Sequence, residues 1–351
     1  MDRVKLAFVG TGSMGQCAHL KHYAALPDCE VIALAELRPG LAAQVAARYG
    51  VPRVYADHRD LLDHERPDAL VCIQPFTRHG VLLTELAEAG LPILIEKPLA
   101  SSVEQAERIV AATEGNKTWI MVGYHKRSDP ATMRAVEEIA RLKATGELGR
   151  MTYVRIAMPP GDWIAGGFVD LLRSDEALPP LQSDPPPGDM TPDQFADYVR
   201  FVNYYIHQVN LLRYLLGEDY EVTHADPAGV LFVARSAGGV PGLIEMQAFS
   251  SSRDWQEVAL VCFERGWIRV ELPAPVVLNQ AGRVTFFRDP GGGAEPVTVA
   301  PVMPPVGAMR QQASNYLQAI RGEAPAPCQA PEALRDLIVA RDYVRLFWTA
   351  K

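Results

Sequence analysis

From residue 4 to about residue 123, short runs of β-branched and aliphatic residues alternate with stretches whose apolar positions recur every three or four residues. Short apolar runs bounded by turn residues predict strands, and the longer spacing predicts helices that bury one face. The predicted strands are Val4–Val9, Glu30–Ala35, Arg53–Tyr55, Ala69–Ile73, Ile93–Ile95 and Thr118–Val122, with helices such as Leu41–Tyr49, Gly80–Ala89 and Val103–Thr113 between them. This alternation fits βαβ units, hence an α/β first domain built on a doubly wound parallel sheet. The pattern changes near residue 124. A helix at Ala131–Ala144 and the turn Gly146-Glu147-Leu148-Gly149 lead into a strand-like run, Met151–Met158. Residues 159–192 then hold Pro159, Pro160, Pro179, Pro180, Pro185, Pro186, Pro187 and Pro192, a density that suits an ordered loop or partial lid rather than a helix or central strand. One helix over Pro192–Leu216, ended by Gly217, precedes strands at about 221–225, 230–236, 242–249, 257–263, 266–272 and 284–288, which read as an antiparallel meander. Helices at Gly307–Arg321 and Pro331–Trp348 close the chain.

Composition narrows what this arrangement does. A chain of 351 residues is too long for one ordinary core, so two domains are expected, 1–123 and 124–351, the second an α+β domain with a large, open, mainly antiparallel sheet. The two C-terminal helices have the option of packing back on the first domain. With 48% apolar and 22% charged residues the composition is that of a globular protein, and no apolar run reaches the roughly eighteen residues needed to span a bilayer. A formal charge of −8 without a basic stripe argues against nucleic acid as a partner. The N-terminus passes straight into a β-like run with no secretory pattern, so a cytoplasmic protein is expected. Cys17, Cys29, Cys72, Cys262 and Cys328 are scattered, without metal-ligand spacing, and read as reduced thiols with no metal site.

The first candidate chemistry lies at the N-terminus. Val4–Val9 runs into Gly10-Thr11-Gly12-Ser13-Met14-Gly15, a GxGxxG turn at the head of a helical pattern. In a Rossmann dinucleotide-binding domain the first glycine permits the tight turn, the second lets backbone approach the pyrophosphate, and the third allows close helix–strand packing. Ser13 and Met14 at the helix start are cofactor contacts in this reading. Glu36, at the end of the second strand, is placed to accept from the adenosine ribose hydroxyls and to repel a 2′-phosphate, which favours NAD over NADP. Arg38 is ambiguous, since it suits adenine stacking, a 2′-phosphate or plain solvent equally. Gln74, Pro75 and His79 follow the fourth strand at the ligand-lining edge, and His79 is open to either a structural or a cofactor role.

Glu96-Lys97-Pro98 directly follows the fifth strand, and a partly desolvated Lys there is suited to hydrogen-bond a reacting hydroxyl. Read by spacing alone, a surface Glu–Lys pair before a turn is the favoured reading. With the N-terminal GxGxxG, the Glu96-Lys97-Pro98 triplet, the Gly123-Tyr124 step and a mixed C-terminal domain, the chain resembles the Gfo/Idh/MocA oxidoreductases over essentially its whole length. The resemblance implies an NAD(P)-dependent enzyme acting on the CH–OH groups of a sugar, sugar derivative or cyclitol, often a homodimer or homotetramer. It assigns Glu96 and Lys97 to the cofactor side of the site. It also implies a helix with the pattern Asp-x-x-x-His-x-x-Asp-x-x-Arg, whose matching stretch here carries Asn203, His207, Asn210 and Arg213, so that both acidic positions are amides. Asn203 and His207, four apart in one helix, would share a face.

The catalytic set expected is therefore Lys97 and Asn203 on the carbinol oxygen, with His207 accepting its proton. Tyr124, His125, Lys126 and Arg127 follow the last strand of the first domain, and Asp162 with Trp163 offers a carboxylate beside a ring. Of these, Tyr124, Lys126, Asp162 and Trp163 are the candidate substrate contacts. Two other classes remain open: a redox-neutral glycoside-cleaving enzyme that retains NAD, and a non-catalytic dinucleotide or sugar sensor.

Overall fold

The computed structural model describes residues 3–351. These divide into two compact units: one of residues 3–124, 166–190 and 309–337, the other of residues 125–165, 191–308 and 338–351.

The first unit is built on β1 (Val4–Val9), β2 (Cys29–Ala35), β3 (Arg53–Tyr55), β4 (Ala69–Cys72), β5 (Ile93–Ile95) and β6 (Ile120–Val122). Among the described residues these form a six-stranded parallel sheet in the order β3-β2-β1-β4-β5-β6. The chain works outward from β1 in one direction and then restarts at β4 in the other, so the switch point lies between β1 and β4. Strands buried on both faces need nearly continuous apolar runs, and β4 (Ala-Leu-Val-Cys) and β5 (Ile-Leu-Ile) are buried throughout. After the glycine-rich turn the helix contains a π-helical stretch, Gly15–Leu20, before continuing as α1 (Lys21–Tyr23). Then come α2 (Pro39–Tyr49), α3 (His58–His64), α4 (His79–Ala87) and α5 (Val103–Gly115).

Residues 309–337 also belong to this unit: Tyr316 is fully buried, donates to the Leu70 carbonyl at 3.0 Å and meets Tyr23 edge-on, while Val122 N–H donates to the Cys328 carbonyl at 3.0 Å. Aromatic side chains buried this way contribute on the order of 1.5–3 kcal/mol each.

In the second unit, α6 (Pro130–Thr145) starts with Asp129 capping the Ala131 amide and stops at Gly146, whose φ of 64° is the left-handed conformation that glycine adopts without a Cβ clash. β7 (Met151–Ala157), α7 (Pro192–Tyr204) and α8 (Ile206–Leu216) follow. The strands that succeed them are β8 (Tyr220–Ala225), β9 (Leu231–Ser236), β10 (Pro241–Glu245), β11 (Val258–Phe263), β12 (Gly266–Glu271), β13 (Arg283–Arg288) and β14 (Val297–Val299). Among the described residues these strands form an eight-stranded sheet in the order β14-β13-β12-β11-β7-β10-β9-β8. The expectation of an antiparallel meander is corrected at one place: β7 inserts between β10 and β11 and pairs parallel with β10. Alternate residues, among them Val154, Ile156, Val261, Ile268 and Phe286, are buried, and the intervening positions leave a half-exposed second face. The last helices of the chain are α9 (Ala308–Ile320), which from residue 309 belongs to the first unit, and α10 (Ala330–Ala350), which belongs to the second from residue 338.

The single helix expected over Pro192–Leu216 is also corrected. A capping box of Thr191 and Gln194 starts α7 at Pro192, but the helix breaks at Tyr205 (φ −96°, ψ −3°) and α8 begins anew. Tyr205 is buried, whereas Tyr204 is half-buried and its hydroxyl accepts from the Gly161 amide at 3.3 Å.

Candidate active site

The glycine-rich turn has one face closed and one open. Gly10 has φ +94°, and a Cβ there would come within 2.4 Å of the Ile73 carbonyl and of the Gln74 side chain. A Cβ on Gly15 would come within 2.7 Å of the Gly10 carbonyl, so these two glycines are required by the chain's own packing. At Gly12 a Cβ would meet nothing within 4 Å: the turn faces open space there, at the head of a helix whose first amides point outward. Ser13 is exposed, and Met14 packs partly against the core of this unit. An open, amide-lined turn of this kind fits a dinucleotide pyrophosphate.

Glu36 stands beside it and is 6% exposed. Its Oε2 accepts from the Thr11 amide and hydroxyl, both at 3.0 Å, and its Oε1 accepts from Arg38 Nε at 2.7 Å and the Arg38 amide at 3.2 Å. Burial works against ionisation, but the Arg38 and Thr11 hydrogen bonds outweigh it and hold the carboxyl below the usual range. The ambiguous Arg38 is thus bound to Glu36. Gln74 packs on the turn and accepts from Arg78 at 3.3 Å, while Pro75 is exposed.

His79 is fully buried as the first residue of α4, and its Nδ1 lies 3.1 Å from the Leu99 carbonyl. Burial pushes its pKa down, so this imidazole is a neutral tie between α4 and the turn after β5.

At the end of β5, Lys97 is half-buried and its peptide bond to Pro98 is cis. Glu96 is buried, lies 2.7 Å from His19 Nε2 and accepts from the Lys97 amide at 3.2 Å. His19 was not foreseen: it lies in the helix after the glycine turn, where a histidine among apolar neighbours gives no local sign of a partner 77 positions away. The effect is to fix the backbone that carries Lys97.

The second unit gathers a different polar set. The rings of His125 and His207 meet edge-on with centroids 4.5 Å apart, and both are buried. Lys126, 4% exposed, forms a short ion pair with Glu257, 2% exposed; Glu257 also accepts from Gln208 Nε2 at 2.7 Å, and Lys126 lies 5.4 Å from the centroid of the Trp255 ring. Lys126 is therefore a buried ion-pair member, not a solvated surface lysine. Glu257 and Gln208 were missed by sequence reasoning, since one reads as a strand-edge carboxylate and the other as a helix polar position.

Asn210 accepts from Arg127 Nε at 2.6 Å, so the amide that replaces the second acid meets the guanidinium through a neutral acceptor while Tyr214 lies beneath it at 4.5 Å. Asn203 and His207 do not share a helix, because the break at Tyr205 separates them; Asn203 is exposed in the last turn of α7 and His207 is buried in the first turn of α8. Asp162 is committed to its own loop, with Oδ1 accepting from the Ile164 and Ala165 amides at 3.1 and 3.0 Å. Trp163 is half-buried beside it, and Tyr124 is 2% exposed. Four of the five cysteines are buried and Cys262 is half-buried.

A doubly wound sheet with an open glycine turn at its switch point and an ionised Glu at the next strand end defines a dinucleotide-binding domain, here joined to an α+β unit. Residues 4–124 match the family described as "Oxidoreductase family, NAD-binding Rossmann fold", and over that stretch the chain is similar to the Gfo/Idh/MocA oxidoreductases.

It is similar to the scyllo-inositol 2-dehydrogenase (NAD(+)) of Bacillus subtilis (strain 168), 25% identical over 217 residues that cover 62% of this chain and 55% of that protein. It is also similar to the levoglucosan dehydrogenase of Pseudarthrobacter phenanthrenivorans, 30% identical over 232 residues that cover 62% of this chain and 52% of that protein. The matched stretches span 40–58% of the length of the first four relatives. A levoglucosan dehydrogenase solved in complex with NADH and levoglucosan superimposes with a TM-score of 0.74 at 19% identity, covering 100% of this chain and 98% of that one. At that identity the likeness speaks for the fold. No helix of the described residues is long and apolar enough to cross a membrane.

Proposed function

We propose that this protein is an NAD-dependent dehydrogenase or reductase that interconverts a carbinol and a carbonyl on a sugar, sugar derivative or cyclitol. The observation that carries the reading is the open turn at Gly12 beside the ionised, hydrogen-bonded Glu36, a pairing of amide donors and ribose acceptor that suits NAD. The relatives support the substrate class: those named above act on inositol and levoglucosan, both polyhydroxylated rings.

In this reading the first unit binds the cofactor and the second contributes to substrate binding and to oligomer formation. Gly10, Gly12, Ser13, Met14 and Gly15 hold the phosphates, Glu36 with Arg38 holds the adenosine ribose, and Gln74 and Pro75 border the turn. His79 acts from behind by fixing α4. Bound NAD supplies the hydride acceptor. Lys97 donates a hydrogen bond to the reacting oxygen, with Glu96 and His19 fixing its backbone, and an imidazole nitrogen of His207 takes the hydroxyl proton. Lys126 acts through its pair with Glu257, which orders the stretch around His125 and His207. Tyr124 and Trp163 contact substrate, Asn203 orients a hydroxyl, and Asp162 shapes the loop that carries Trp163. The half-exposed face of the eight-stranded sheet, where Arg155, Glu245, Phe249 and Trp267 border a groove, is the surface assigned to a homodimer or homotetramer.

The test is to incubate purified protein and NAD with a panel of free inositols, sugars, anhydrosugars and glycosides and to follow the absorbance of reduced nicotinamide. Accumulation with a polyol supports the reading; product without net reduced nicotinamide favours a redox-neutral enzyme, and binding without turnover favours a sensor. Lys97→Met should lose most turnover, roughly 10²–10⁴-fold, while keeping NAD affinity. Full activity in that variant removes Lys97 from the chemistry.

A further inference from the structure

Residues 166–190 are anchored to the first unit by a pattern that their proline content does not explain. Glu176 Oε1 accepts from the Gly40 amide at 2.9 Å and Oε2 from the Leu41 amide at 3.0 Å, filling two of the outward amides that open α2. Asp184 does the same on α4, accepting from the Gly80 and Val81 amides, both at 2.9 Å. Leu172 and Gln16 exchange hydrogen bonds at 3.1 and 3.2 Å. Each carboxylate lies directly against a glycine: a Cβ on Gly40 would come within 2.9 Å of Glu176 Oε2, and one on Gly80 within 2.8 Å of Asp184 Oδ1. Since α2 follows β2 and α4 follows β4, the segment runs from one flank of the switch point to the other along the carboxyl edge of the sheet.

The seat on α2 has chemical consequences for the cofactor. Gly40 stands four positions beyond Glu36, the residue that reads the adenosine ribose, and the start of an eleven-residue helix is a natural anion site. A 2′-phosphate bound there would need those amides and the Arg38 guanidinium. The guanidinium is held by Glu36 at 2.7 Å, and the amides are held by Glu176, which Ser174 Oγ steadies by donating at 2.7 Å. The Gly40 amide, then the Ser174 hydroxyl, hold the Glu176 carboxyl below the usual range, so it is charged at neutral pH.

We infer that Glu176 is a cofactor-selecting residue: it fills the anion site at the start of α2 with the chain's own carboxylate and thereby excludes the 2′-phosphate of NADP. The inference rests on reading the first unit as a dinucleotide site and adds to Glu36 a second determinant from a distant part of the chain.

The experiment is titration calorimetry of NAD and NADP into the full-length protein, its Glu176→Ala and Glu176→Gln variants, and a Glu36→Gln control. Glu176 is exposed and its loss removes one helix-start acceptor, so its variants should fold and melt within a few degrees of the parent. Wild type should prefer NAD. Glu176→Ala should tighten NADP about tenfold while NAD changes less than about threefold, and Glu176→Gln, which loses the charge but keeps an acceptor, should fall between. An unchanged NADP-to-NAD ratio in both variants, or equal loss of both dinucleotides, overturns the role of Glu176. Wild type that binds neither dinucleotide overturns the underlying reading, and with it this inference. A ratio that moves in Glu36→Gln alone assigns selection to Glu36 and contradicts the proposal.

Discussion

Removing the Glu257 carboxylate tests the buried network around His207. In the second unit Glu257 holds Lys126 in a short ion pair and accepts from Gln208 at 2.7 Å, with side-chain exposures of 4% for Lys126 and 0% for Glu257. Glu257→Ala leaves a buried ammonium without that counter-charge, with the Asp129 carboxylate as a remaining acid that acts on it, and takes the acceptor from Gln208. Breaking a buried pair from one side costs about 3–5 kcal/mol, a large fraction of the 5–15 kcal/mol that holds a typical domain together. With urea slopes of about 1–3 kcal/mol per molar, the unfolding midpoint should fall by roughly 1 M or more. Tryptophan fluorescence is a suitable signal, because Trp255 lies 5.4 Å from the Lys126 ammonium and reports on the same spot. The double variant Lys126→Met/Glu257→Leu, which replaces both charges by apolar groups of similar size, should recover most of the loss. A fall of less than about 1 kcal/mol in Glu257→Ala, or a double variant no better than the single, would refute the argument that the pair is buried and mutually dependent.

The glycine turn gives a contrast between two neighbours. Gly10→Ala places a Cβ 2.4 Å from the Ile73 carbonyl at φ +94° and should cost at least 2–3 kcal/mol by roughly additive strain and clash, seen in thermal unfolding. Gly12→Ala meets only open space, so it should change stability by less than about 0.5 kcal/mol yet weaken NAD binding at least tenfold in a direct titration. In the first unit His22 is buried and its pKa is lowered to about 4, chiefly by desolvation and then by His19, Lys21 and Arg310. Its folded value is below the unfolded 6.5, so the stabilisation is fully present above pH 6.5 and is lost as pH falls toward 4. His22→Gln should therefore flatten the acid side of the stability profile by about 3 kcal/mol in denaturant unfolding at pH 4 against pH 7. A profile as steep as the parent's would show that His22 does not carry this dependence.

Much of the first unit was legible because its signals are local. The apolar runs of β1, β4 and β5 need no partner to be recognised, and the glycine turn followed by Glu36 encodes a backbone geometry and a charge within one βαβ unit. Strand ends were read to within two residues: β2 starts at Cys29 rather than Glu30, and β6 at Ile120 rather than Thr118. What escaped was decided over long separations. Glu176 and Asp184 lie 135 and 103 positions from the Leu41 and Val81 amides they satisfy, and no propensity marks a carboxylate in a proline-rich stretch as a cap for a remote helix. Glu257 likewise gains its meaning from Lys126, 131 positions away.

The helix break at Tyr205 escaped because Tyr204-Tyr205-Ile206 contains neither glycine nor proline, so the periodicity continues across a junction that aromatic packing makes; Phe201 stacks on Tyr343 with centroids 4.4 Å apart just before it. β7 was recognised as a strand, but its place beside β10 follows from sheet topology, to which residue pattern is blind.

The most direct measurement follows the hydrogen itself. A polyol from the active panel, deuterated at the reacting carbinol carbon, is turned over with unlabelled NAD, and the reduced nicotinamide is isolated and examined by mass spectrometry and proton NMR. One deuterium at the nicotinamide C4 is expected for each carbonyl formed. Oxidised product accompanied by deuterium in the solvent, with none on the nicotinamide, would contradict it.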